Sequence, residues 1–416
     1  MEMTRFSCPH AKQCGGCQLL QLPYPAQLEK KQRLVEELFG QYTPVQPILG
    51  MEHPVHYRNK IHATFGKGRD GRVVSGLYQP SSHRLVPIEH CLLEDEAAAE
   101  ILAVVRQLMD QLHLPPYNDV THTGLIRHLL IRRGYFSGQI LVAVVTGQAA
   151  FPARKQFAEA LRKACPQITT LVQNINPGRT SMVLGGQQRI LYGPGYIEDQ
   201  LCGCTFRISA ASFYQVNPIQ TQKLYQAALD MAGLTGTERV IDAYCGTGTI
   251  GILAARQAGQ VLGVELNRAA VTDAIANARR NKTENIRFVC QDAGQFMVEL
   301  ARQGQTADLV LMDPPRAGSD QAFLSSLAVL GPKKVVYISC NPLTQKRDVE
   351  YLARKGYRVK AAQPVDLFPH TDHVENILLL VKQSPRPPRE RAARRPQPRQ
   401  KADSRTGRRT QEKSKL

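Results

Sequence analysis

Residues 242–251, with the sequence DAYCGTGTIG, decide the fold class of this 416-residue chain. The segment follows a short apolar run and precedes a predicted helix, as the glycine-rich turns of nucleotide-binding α/β proteins do. Around it, from about residue 217 to residue 382, short apolar strands alternate with amphipathic helices. The alternation predicts a doubly wound parallel sheet whose last two strands form an antiparallel hairpin at one edge.

Asp242 distinguishes between two possible cofactors for the turn that contains Gly246 and Gly248. A pyrophosphate repels a carboxylate at this position, whereas the ammonium and sulfonium of S-adenosylmethionine attract it. We therefore favour S-adenosylmethionine over a nicotinamide cofactor. Glu265, at the end of the next predicted strand, would then accept hydrogen bonds from the ribose hydroxyls, and otherwise it is a surface charge.

Two more strand ends carry candidate chemistry. The run Asp313-Pro314-Pro315-Arg316 makes a rigid turn, because proline fixes φ and removes a backbone donor. Cys340 follows the predicted strand 334–339 and reaches the same edge of the sheet. A buried, inert cysteine is the alternative, but the neighbouring SCNP sequence is polar and argues against it.

A cysteine at this edge suits methylation of a uracil ring. A thiolate that adds to C6 makes C5 nucleophilic enough to take a methyl group from a sulfonium, and a base must then remove the C5 proton. Glu375 is the predicted base because it begins the last strand, and His373 is the alternative. His370 and His373 also have a spacing that can chelate a metal, but the spacing fixes no third ligand.

Five motifs in this order resemble those of the RNA uracil-5-methyltransferase family over about residues 8–382. They are residues 213–218 (FYQVNP), 242–248 (DAYCGTG), 313–318 (DPPRAG), 339–342 (SCNP) and 368–375 (FPHTDHVE). The resemblance implies that Cys340 is the nucleophile, Glu375 is the base, and Cys245 is not the nucleophile. It also implies contacts to the methyl donor, made by Gln215, Tyr244, Glu265 and Asp313.

The N-terminal cysteines predict a metal site. Cys8, Cys14 and Cys17 have the spacing Cys-x5-Cys-x2-Cys, and Cys91 is the candidate fourth ligand. Four thiolates suit a [4Fe–4S] cluster or zinc, and the presence of a single Cys-x2-Cys pair favours iron–sulfur. The resemblance favours it too, since the family's ribosomal-RNA branch carries a cluster at a similar spacing. We expect this cluster to fold the N-terminal segment without redox chemistry.

The net charge of +18 predicts a polyanionic partner. Residues 385–416 hold 12 Lys and Arg against 3 Asp and Glu, with several prolines, and we expect a disordered basic tail. The tail is either a nonspecific RNA-binding arm or a solubilising extension. No apolar run approaches the ~20 residues of a membrane span, so we expect a cytosolic protein with no membrane partner. We also expect a monomer.

Three local patterns precede the methyltransferase region. Residues 24–39 predict an amphipathic helix with Leu28, Leu34, Val35 and Leu38 as its apolar positions. The apolar runs 129–131 and 140–145 flank a turn at 134–138 and predict a hairpin, and residues 183–184 are a candidate short strand.

We predict four parts of the chain. They are a cluster-bearing segment, 1–92, woven into the next part; a β-rich central RNA-binding domain, 55–205; a Rossmann-like S-adenosylmethionine-dependent methyltransferase domain, 206–384; and the tail, 385–416. The chain begins almost at its first cysteine, so we expect no extra RNA-binding barrel. RNA contact then falls to the central domain, at residues 57–60, Arg127, Arg132 and Arg133.

The favoured function is methylation of C5 of a flipped-out uridine in large-subunit (23S) ribosomal RNA through a covalent Cys340–C6 intermediate. A transfer-RNA uracil-5-methyltransferase is the alternative within the same chemistry. A noncatalytic iron–sulfur RNA-binding protein is the alternative from another class, and the intact pair Cys340 and Glu375 argues against it. Asp242 argues against a nicotinamide-dependent oxidoreductase.

Overall fold

The computed structural model describes residues 6–82, 84–180 and 182–383. Chain contacts group Met1–Lys382 into one compact unit, and of the second unit, Gln383–Leu416, only Gln383 is described. The predicted basic tail, 385–416, lies outside the described residues. Among the residues that are described, no helix combines the length and apolar character that a membrane crossing needs.

The helices of the described part are α1 (Ala11–Cys14), α2 (Tyr24–Phe39), α3 (Ala97–Gln111), α4 (Arg154–Ala164), α5 (Pro218–Ala232), α6 (Thr249–Ala255), α7 (Arg268–Arg280), α8 (Ala293–Arg302), α9 (Gln321–Leu330) and α10 (Pro342–Arg354). The first strands are β1 (Lys60–Lys67), β2 (Val73–Tyr78), β3 (Leu85–Pro87), β4 (Ile126–Arg133), β5 (Ile140–Thr146), β6 (Ile168–Ile175), β7 (Gln187–Tyr192), β8 (Tyr196–Leu201) and β9 (Cys204–Ser209). The later strands are β10 (Arg239–Ala243), β11 (Gln260–Glu265), β12 (Ile286–Cys290), β13 (Leu309–Met312), β14 (Lys334–Ser339), β15 (Tyr357–Val365) and β16 (Glu375–Lys382).

The methyltransferase sheet, as we call β10 to β16, has the strand order β12-β11-β10-β13-β14-β16-β15. Strands β10 to β14 run parallel, and β16 lies antiparallel between β14 and β15. The predicted doubly wound sheet with an antiparallel hairpin at one edge is confirmed. Strands β13 and β14 are apolar almost throughout because helices cover both faces of a parallel sheet.

The strand order reverses between β10 and β13, which are hydrogen-bonded neighbours although two strands, β11 and β12, separate them along the chain. In open α/β sheets, ligands bind outside the carboxyl ends of the strands at such a switch point. The carboxyl ends of β10, β13 and β14 therefore mark the place to look for a site.

The central sheet, β1 to β7, has the order β3-β2-β1-β4-β5-β6-β7 and is antiparallel except for the pair β5–β6. Helix α4 makes the crossover between these two parallel strands, as their geometry requires. The predicted β4–β5 hairpin is confirmed, but helices α3 and α4 were missed when this region was interpreted as mostly β-structure. Apolar residues of α3 at helical spacing, Ile101, Leu102, Val105, Leu108 and Met109, are buried in the core beneath the sheet.

A strand predicted at residues 183–184 is absent, and β7 begins only at Gln187. Asn174 explains the difference, because its side chain both donates to the carbonyl of Gly185 and accepts from the Gly185 N–H. The amide of Asn176 donates to the carbonyls of Met182 and Val183. The side chains of Asn174 and Asn176 thus hydrogen-bond the backbone groups of residues 182–185 that a strand would pair with its neighbour.

Helix α2 has the predicted bounds but packs differently from the prediction. We expected residues 1–92 to be woven into the central domain, yet Val35 and Phe39 of α2 lie in the core of the methyltransferase sheet. The chain after α2 also pairs with β15, through the bridges Val45↔Ala362 and Leu49↔Val365. The helix buries Gln27 and Lys31 along with Val35 and Phe39, whereas the predicted apolar positions Leu28, Leu34 and Leu38 are only half-buried.

Candidate active site

The sheet register brings four predicted residues to one edge. Asp242 lies in β10 next to β13, and Asp313 follows the last residue of β13. Cys340 follows the last residue of β14, and Glu375 is the first residue of β16. Because Ser339 pairs with Asn376 across the antiparallel strands, the next positions along the ladder are Cys340 and Glu375. The predicted nucleophile and the predicted base are thus cross-strand neighbours.

Local hydrogen bonds fix the backbone on both sides of Cys340. The Ser339 hydroxyl donates to the carbonyl of Asn341 and accepts from its N–H. Asn341 caps α10 by accepting from the Leu343 N–H, and Pro342 occupies the first helical turn, where a missing N–H has no cost. The sequence SCNP therefore ends a strand, starts a helix and leaves the thiol between them.

The Cys340 side chain is half-buried, so it is not enclosed in packed hydrocarbon. Burial, then the neighbouring carboxyl groups of Glu375 and Asp313, raise the pKa of the thiol to about 11, although Arg316 opposes them. The free protein therefore holds the thiol protonated at neutral pH. Its activation requires removal of a proton or the arrival of positive charge nearby.

Glu375 is buried, with 3% of its surface exposed. Burial raises the pKa of its carboxyl group well above the usual value, and the neighbouring Asp313 raises it further. Burial also raises the pKa of Asp313 itself, to about 7. A carboxylate whose pKa is raised by burial binds a proton more strongly once it is ionised, as a general base must.

Asn376 and Gln345 fix the strand beside Glu375. The amide of Asn376 donates to Gln345, and the amide of Gln345 donates to the carbonyls of Tyr337 and Asn376. Both side chains are fully buried. These bonds tie β16 to β14 and α10 at the point where the predicted base and the predicted nucleophile are neighbours.

The loop after β13 is held against the Cys340 segment. The carbonyl of Arg316 accepts from the side chains of Asn341 and Thr344. The Ser319 N–H donates to Asp348, a buried carboxylate that also accepts from the hydroxyl of Tyr337. The turn beginning at Asp313 is therefore rigid, as its two prolines predict.

The two histidines of the FPHTDHVE segment have separate partners. His370 is buried and its Nδ1 lies 3.1 Å from Nε2 of Gln27. Nδ1 of His373 lies 3.1 Å from a guanidinium nitrogen of Arg316. Burial, then Arg316, lowers the pKa of His373. His373 is therefore a neutral ring in contact with a cation, at the border of the site.

The glycine turn has the backbone that a close ligand contact needs. Gly246 and Gly248 have φ of 53° and 80°, and Tyr244 also has a positive φ, 62°, directly after β10. A Cβ added at Gly246 would meet no atom within 4 Å, so the turn faces open space on this side. A Cβ added at Gly251 would come within 2.5 Å of Oδ2 of Asp242, which explains the third glycine.

Asp242 lies beneath this turn and is 2% exposed. Burial raises its pKa to about 8. Oδ2 has no hydrogen-bond partner within the described residues, which is unusual for a buried carboxylate. An orphaned acceptor below an open glycine turn fits a site that is completed by a cationic or hydrogen-bonding ligand.

Glu265 lies at the end of β11, as predicted, and faces the glycine turn. One carboxylate oxygen accepts from the Gly246 N–H at 3.1 Å, and the other accepts from the Asn267 N–H at 2.8 Å. These bonds orient the carboxylate beside the turn. Each oxygen keeps a further lone pair for a ligand hydroxyl.

Gln215 is half-buried in the segment that connects β9 to α5. This segment reaches the glycine turn, because the Thr247 hydroxyl donates to the carbonyl of Phe213 at 3.4 Å. The Phe213 side chain is 67% exposed. The resemblance alone brought Gln215 to notice, since no pattern of charge or spacing points to it.

A buried polar network behind the 368–375 segment was missed from the sequence. Lys31 of α2 donates to Asp366 at 2.6 Å and to the carbonyl of Phe368 at 3.0 Å. The hydroxyl of Tyr24 donates to the other oxygen of Asp366 at 2.8 Å. The signal in the sequence is Gln27, which follows the same four-residue spacing as Lys31, Val35 and Phe39 and so faces the core with them.

The four N-terminal cysteines come into one neighbourhood. Burial, then the neighbouring thiols of Cys91, Cys14 and Cys8, raise the pKa of Cys17 to about 12, although Arg58 opposes them. All four side chains are half-buried. Across the described residues, however, no group of three or more His, Cys, Asp or Glu side chains is arranged to hold a metal ion. The four thiols therefore lie near one another but are not arranged as metal ligands.

The arginines predicted to contact RNA are structural, and that prediction was wrong for two of them. Arg127, 4% exposed, donates to the carbonyls of Asn176 and Gly178 and to Asp119. Arg132, 3% exposed, donates to the carbonyl of Ser212.

The remaining predicted RNA contacts in the central domain are constrained as well. Arg133 is half-exposed and pairs with Asp95 at 2.7 Å. In the 57–60 run, Tyr57 and Asn59 are buried. Burial lowers the pKa of Lys60 to about 8. Tyr57 and Asn59 therefore support the fold, whereas Arg133 keeps a half-exposed guanidinium.

Comparison with known proteins agrees with this site. The model of the tRNA (uracil-5-)-methyltransferase family matches residues 23–383. An uncharacterized RNA methyltransferase of Halalkalibacterium halodurans is 42% identical over 378 residues, which cover 90% of this chain and 82% of that protein. One from Staphylococcus epidermidis is also 42% identical, over 90% of this chain and 83% of that protein.

A solved structure extends the likeness to three dimensions. The tRNA (uracil-54, C5)-methyltransferase of Pyrococcus abyssi, in complex with S-adenosyl-L-homocysteine, superposes with a TM-score of 0.75 at 25% identity. The likeness covers 88% of this chain and 86% of that one. With the family match spanning most of the chain, the protein belongs to the tRNA (uracil-5-)-methyltransferase family of S-adenosylmethionine-dependent RNA methyltransferases.

Proposed function

We propose that this protein methylates C5 of a uridine in large-subunit (23S) ribosomal RNA, with Cys340 as nucleophile and Glu375 as base. The observation that carries the proposal is the half-buried Cys340 thiol beside the buried carboxyl groups of Glu375 and Asp313. Bound S-adenosylmethionine supplies the methyl group as a sulfonium carbon. Gln215, Tyr244, Glu265, Asp313, Asp242, Gly246 and Gly248 would hold it.

The chemistry of the chain's own residues then follows in order. Cys340 releases its proton to solvent, and the thiolate sulfur forms a bond to C6 of the uracil, which moves an electron pair onto the ring and makes C5 nucleophilic. After C5 has gained the methyl group, the ionised carboxylate of Glu375 accepts the C5 proton. The electron pair of that C–H bond re-forms the C5–C6 double bond, the C6–S bond breaks, and the thiolate is released.

Two observations bear on the RNA substrate. The four converging cysteines support ribosomal RNA, through the resemblance of their spacing to the cluster-bearing branch of the family. A transfer RNA is the second candidate, because the solved relative from Pyrococcus abyssi is a tRNA (uracil-54, C5)-methyltransferase. Activity as a cytosolic monomer, and the four-part division of the chain, belong to the same proposal.

A [4Fe–4S] cluster is a further part of the proposal. Cys8, Cys14, Cys17 and Cys91 would hold it, and the donor set and shared neighbourhood fit, although the thiols stand outside ligand geometry. When bound, the cluster supplies a cross-link between the N-terminal segment and Cys91, and it does no redox chemistry in the reaction. Iron and acid-labile sulfide in anaerobically purified protein test it, and stoichiometric zinc without iron would refute it.

Mapping of 5-methyluridine in ribosomal and transfer RNA, from cells with and without this gene, tests the substrate. We expect the loss of the modification at a ribosomal position, restored by the wild-type gene and not by Cys340→Ala. A loss confined to transfer RNA would move the function to the second candidate. Full restoration by Cys340→Ala would remove the covalent mechanism.

A further inference from the structure

The turn between β4 and β5 exposes two aromatic side chains to solvent. Tyr135 is 39% exposed and Phe136 is 44% exposed. Their ring centroids lie 5.0 Å apart in an edge-to-face arrangement. Single exposed apolar side chains are common on protein surfaces, but two adjacent aromatic rings on one short turn are typical of a binding surface.

A buried carboxylate fixes the backbone of this turn. Asp199 of β8 is fully buried and accepts hydrogen bonds from the N–H groups of Tyr135, Phe136 and Ser137, at 2.9, 2.9 and 3.0 Å. Burial of a carboxylate is costly unless hydrogen bonds compensate it, and these three do so. The rings therefore stand on a rigid base, so that a ligand binding them has little backbone entropy to remove.

The turn is connected to the site by short contacts. The N–H of Arg133 donates to the carbonyl of Asn59, and the N–H of Asn59 donates to the carbonyl of Val216. Val216 belongs to the FYQVNP segment that meets the glycine turn through Phe213. The side chain of Arg132 also donates to the carbonyl of Ser212, directly before this segment. Hydrogen bonds thus join the strand that leads into the aromatic turn to the segment that contacts the glycine turn.

The charges around the turn suit a nucleotide. The guanidinium of Arg133, immediately before the turn, is half-exposed and held in place by Asp95 at 2.7 Å. The neighbouring acidic side chain, Glu198, is paired with Arg280. An unpaired base offers a flat face that stacks on an aromatic ring, and a nearby guanidinium can meet its phosphate. A paired duplex offers no such face.

We propose that Tyr135 and Phe136 form a stacking platform for an unpaired RNA base near the target uridine. The platform rests on the proposed function, because it serves an RNA substrate of the same site. It selects single-stranded loops over duplexes by the shape of the base face. The two sheets would then hold different nucleotides. The methyltransferase sheet holds the reacting uridine, and the central sheet holds a neighbouring nucleotide.

The test compares variants in their binding of fluorescein-labelled oligouridine, followed by fluorescence anisotropy. Tyr135→Leu with Phe136→Leu keeps apolar bulk but removes both ring faces, and we expect roughly 5- to 150-fold weaker binding, the range for losing one stacked base. Asp199→Asn replaces an acceptor oxygen by an amide beside the turn, and we expect a smaller loss. S-adenosylhomocysteine binding, measured calorimetrically, should stay unchanged in each.

Tyr192→Leu is the matched control. Tyr192 is 37% exposed on the edge strand β7, but the guanidinium of Arg162 already covers its ring, at 4.5 Å from the centroid. We expect oligouridine binding in this variant to equal that of the wild type. If the double variant fails to bind S-adenosylhomocysteine, the single variants Tyr135→Leu and Phe136→Leu carry the test.

Unchanged oligouridine binding in the folded ring-free variants, or an equal loss in Tyr192→Leu, would overturn the platform. Binding is measured apart from methyl transfer, so the outcome does not depend on turnover. If the wild-type protein methylates no RNA, the proposed function is wrong. If the variant without the two rings methylates RNA as well as the wild type does, only the platform is wrong.

Discussion

The methyltransferase sheet and the central sheet each have seven strands, but they treat buried charge in opposite ways. At the carboxyl edge of the first, Asp242, Asp313 and Glu375 have raised pKa values, and Oδ2 of Asp242 has no partner within the described residues. In β4 of the second, Arg127 and Arg132 are buried against carbonyl oxygens. Carboxyl groups with raised pKa values at the edge of a sheet mark chemistry, whereas guanidinium groups that donate to backbone carbonyls hold the fold together.

The largest expected effect separates the base from the rest of the site. Glu375→Gln keeps the size of the side chain but removes the proton acceptor, so we expect turnover to fall about 10²- to 10⁴-fold. A covalent protein–RNA adduct should accumulate, because the thiol cannot leave until the C5 proton does. Denaturing gel electrophoresis with labelled RNA detects it. Glu284→Gln, at an exposed position, is the control, and normal turnover in Glu375→Gln would give the base role to another residue.

The buried pair Lys31–Asp366 has a matched exposed neighbour in Lys30–Asp372. Their side chains are 2% and 0% exposed in the first pair, and 59% and 51% exposed in the second. Lys31→Met leaves an unpaired buried carboxylate, so we expect a loss of about 3–5 kcal/mol in the free energy of unfolding. Lys30→Met should cost about 0–1 kcal/mol. Urea denaturation measures both, and equal losses would contradict the distinction between paired and solvated charge.

A third substitution tests the arginines of the central sheet. Arg127→Met removes a cation with three hydrogen-bonded partners, and we expect a loss of about 1–3 kcal/mol in unfolding free energy. RNA affinity of the folded variant should be unchanged, because the guanidinium is not on the surface. The exposed Arg72→Met is the control, with no loss of stability. A large fall in RNA affinity without destabilisation would return Arg127 to the RNA-binding surface.

The smallest effect is a pH dependence of Cys340 in the free protein. Its raised pKa, about 11, means that only a small fraction is thiolate at neutral pH. Because the thiolate is the reactive form, alkylation by iodoacetamide should accelerate about tenfold per pH unit up to that value. Mass spectrometry of the Cys340 peptide follows the rate, and Cys340→Ala supplies the background. A rate already independent of pH at neutrality would show a thiolate and contradict the role of the neighbouring carboxyl groups.

Most of the methyltransferase sheet could be predicted because the sequence signals for it are local. Glycines after β10 and a cysteine after β14 lie at strand ends, and parallel strands bring their ends together whatever the rest of the chain does. The predicted strand 334–339, for example, is observed with the same bounds as β14. The same reasoning found Glu375 from its place at the start of β16.

The parts that sequence reasoning missed depend on distant partners. Lys31 pairs with Asp366, which lies 335 residues away in the sequence, and Gln27 contacts His370, which lies 343 residues away. Nothing near Lys31 in the sequence shows that its charge is buried. Arg127 and Arg132 were misassigned for the same reason, since a cation in a strand has the same local pattern whether it faces water or a carbonyl oxygen. Exposure is a property of the whole fold.

The insertion of β16 between β14 and β15 has a consequence for the life of the protein. The proposed nucleophile, Cys340, is synthesised 35 residues before the proposed base, Glu375, and the strand that begins with Glu375 is the last one of the sheet. A nascent or truncated polypeptide that ends before β16 therefore carries the cysteine without this proton acceptor. By the reasoning applied to Glu375→Gln, such a fragment lacks the group that removes the C5 proton, so it would not turn over. Turnover therefore requires a polypeptide that is complete through β16.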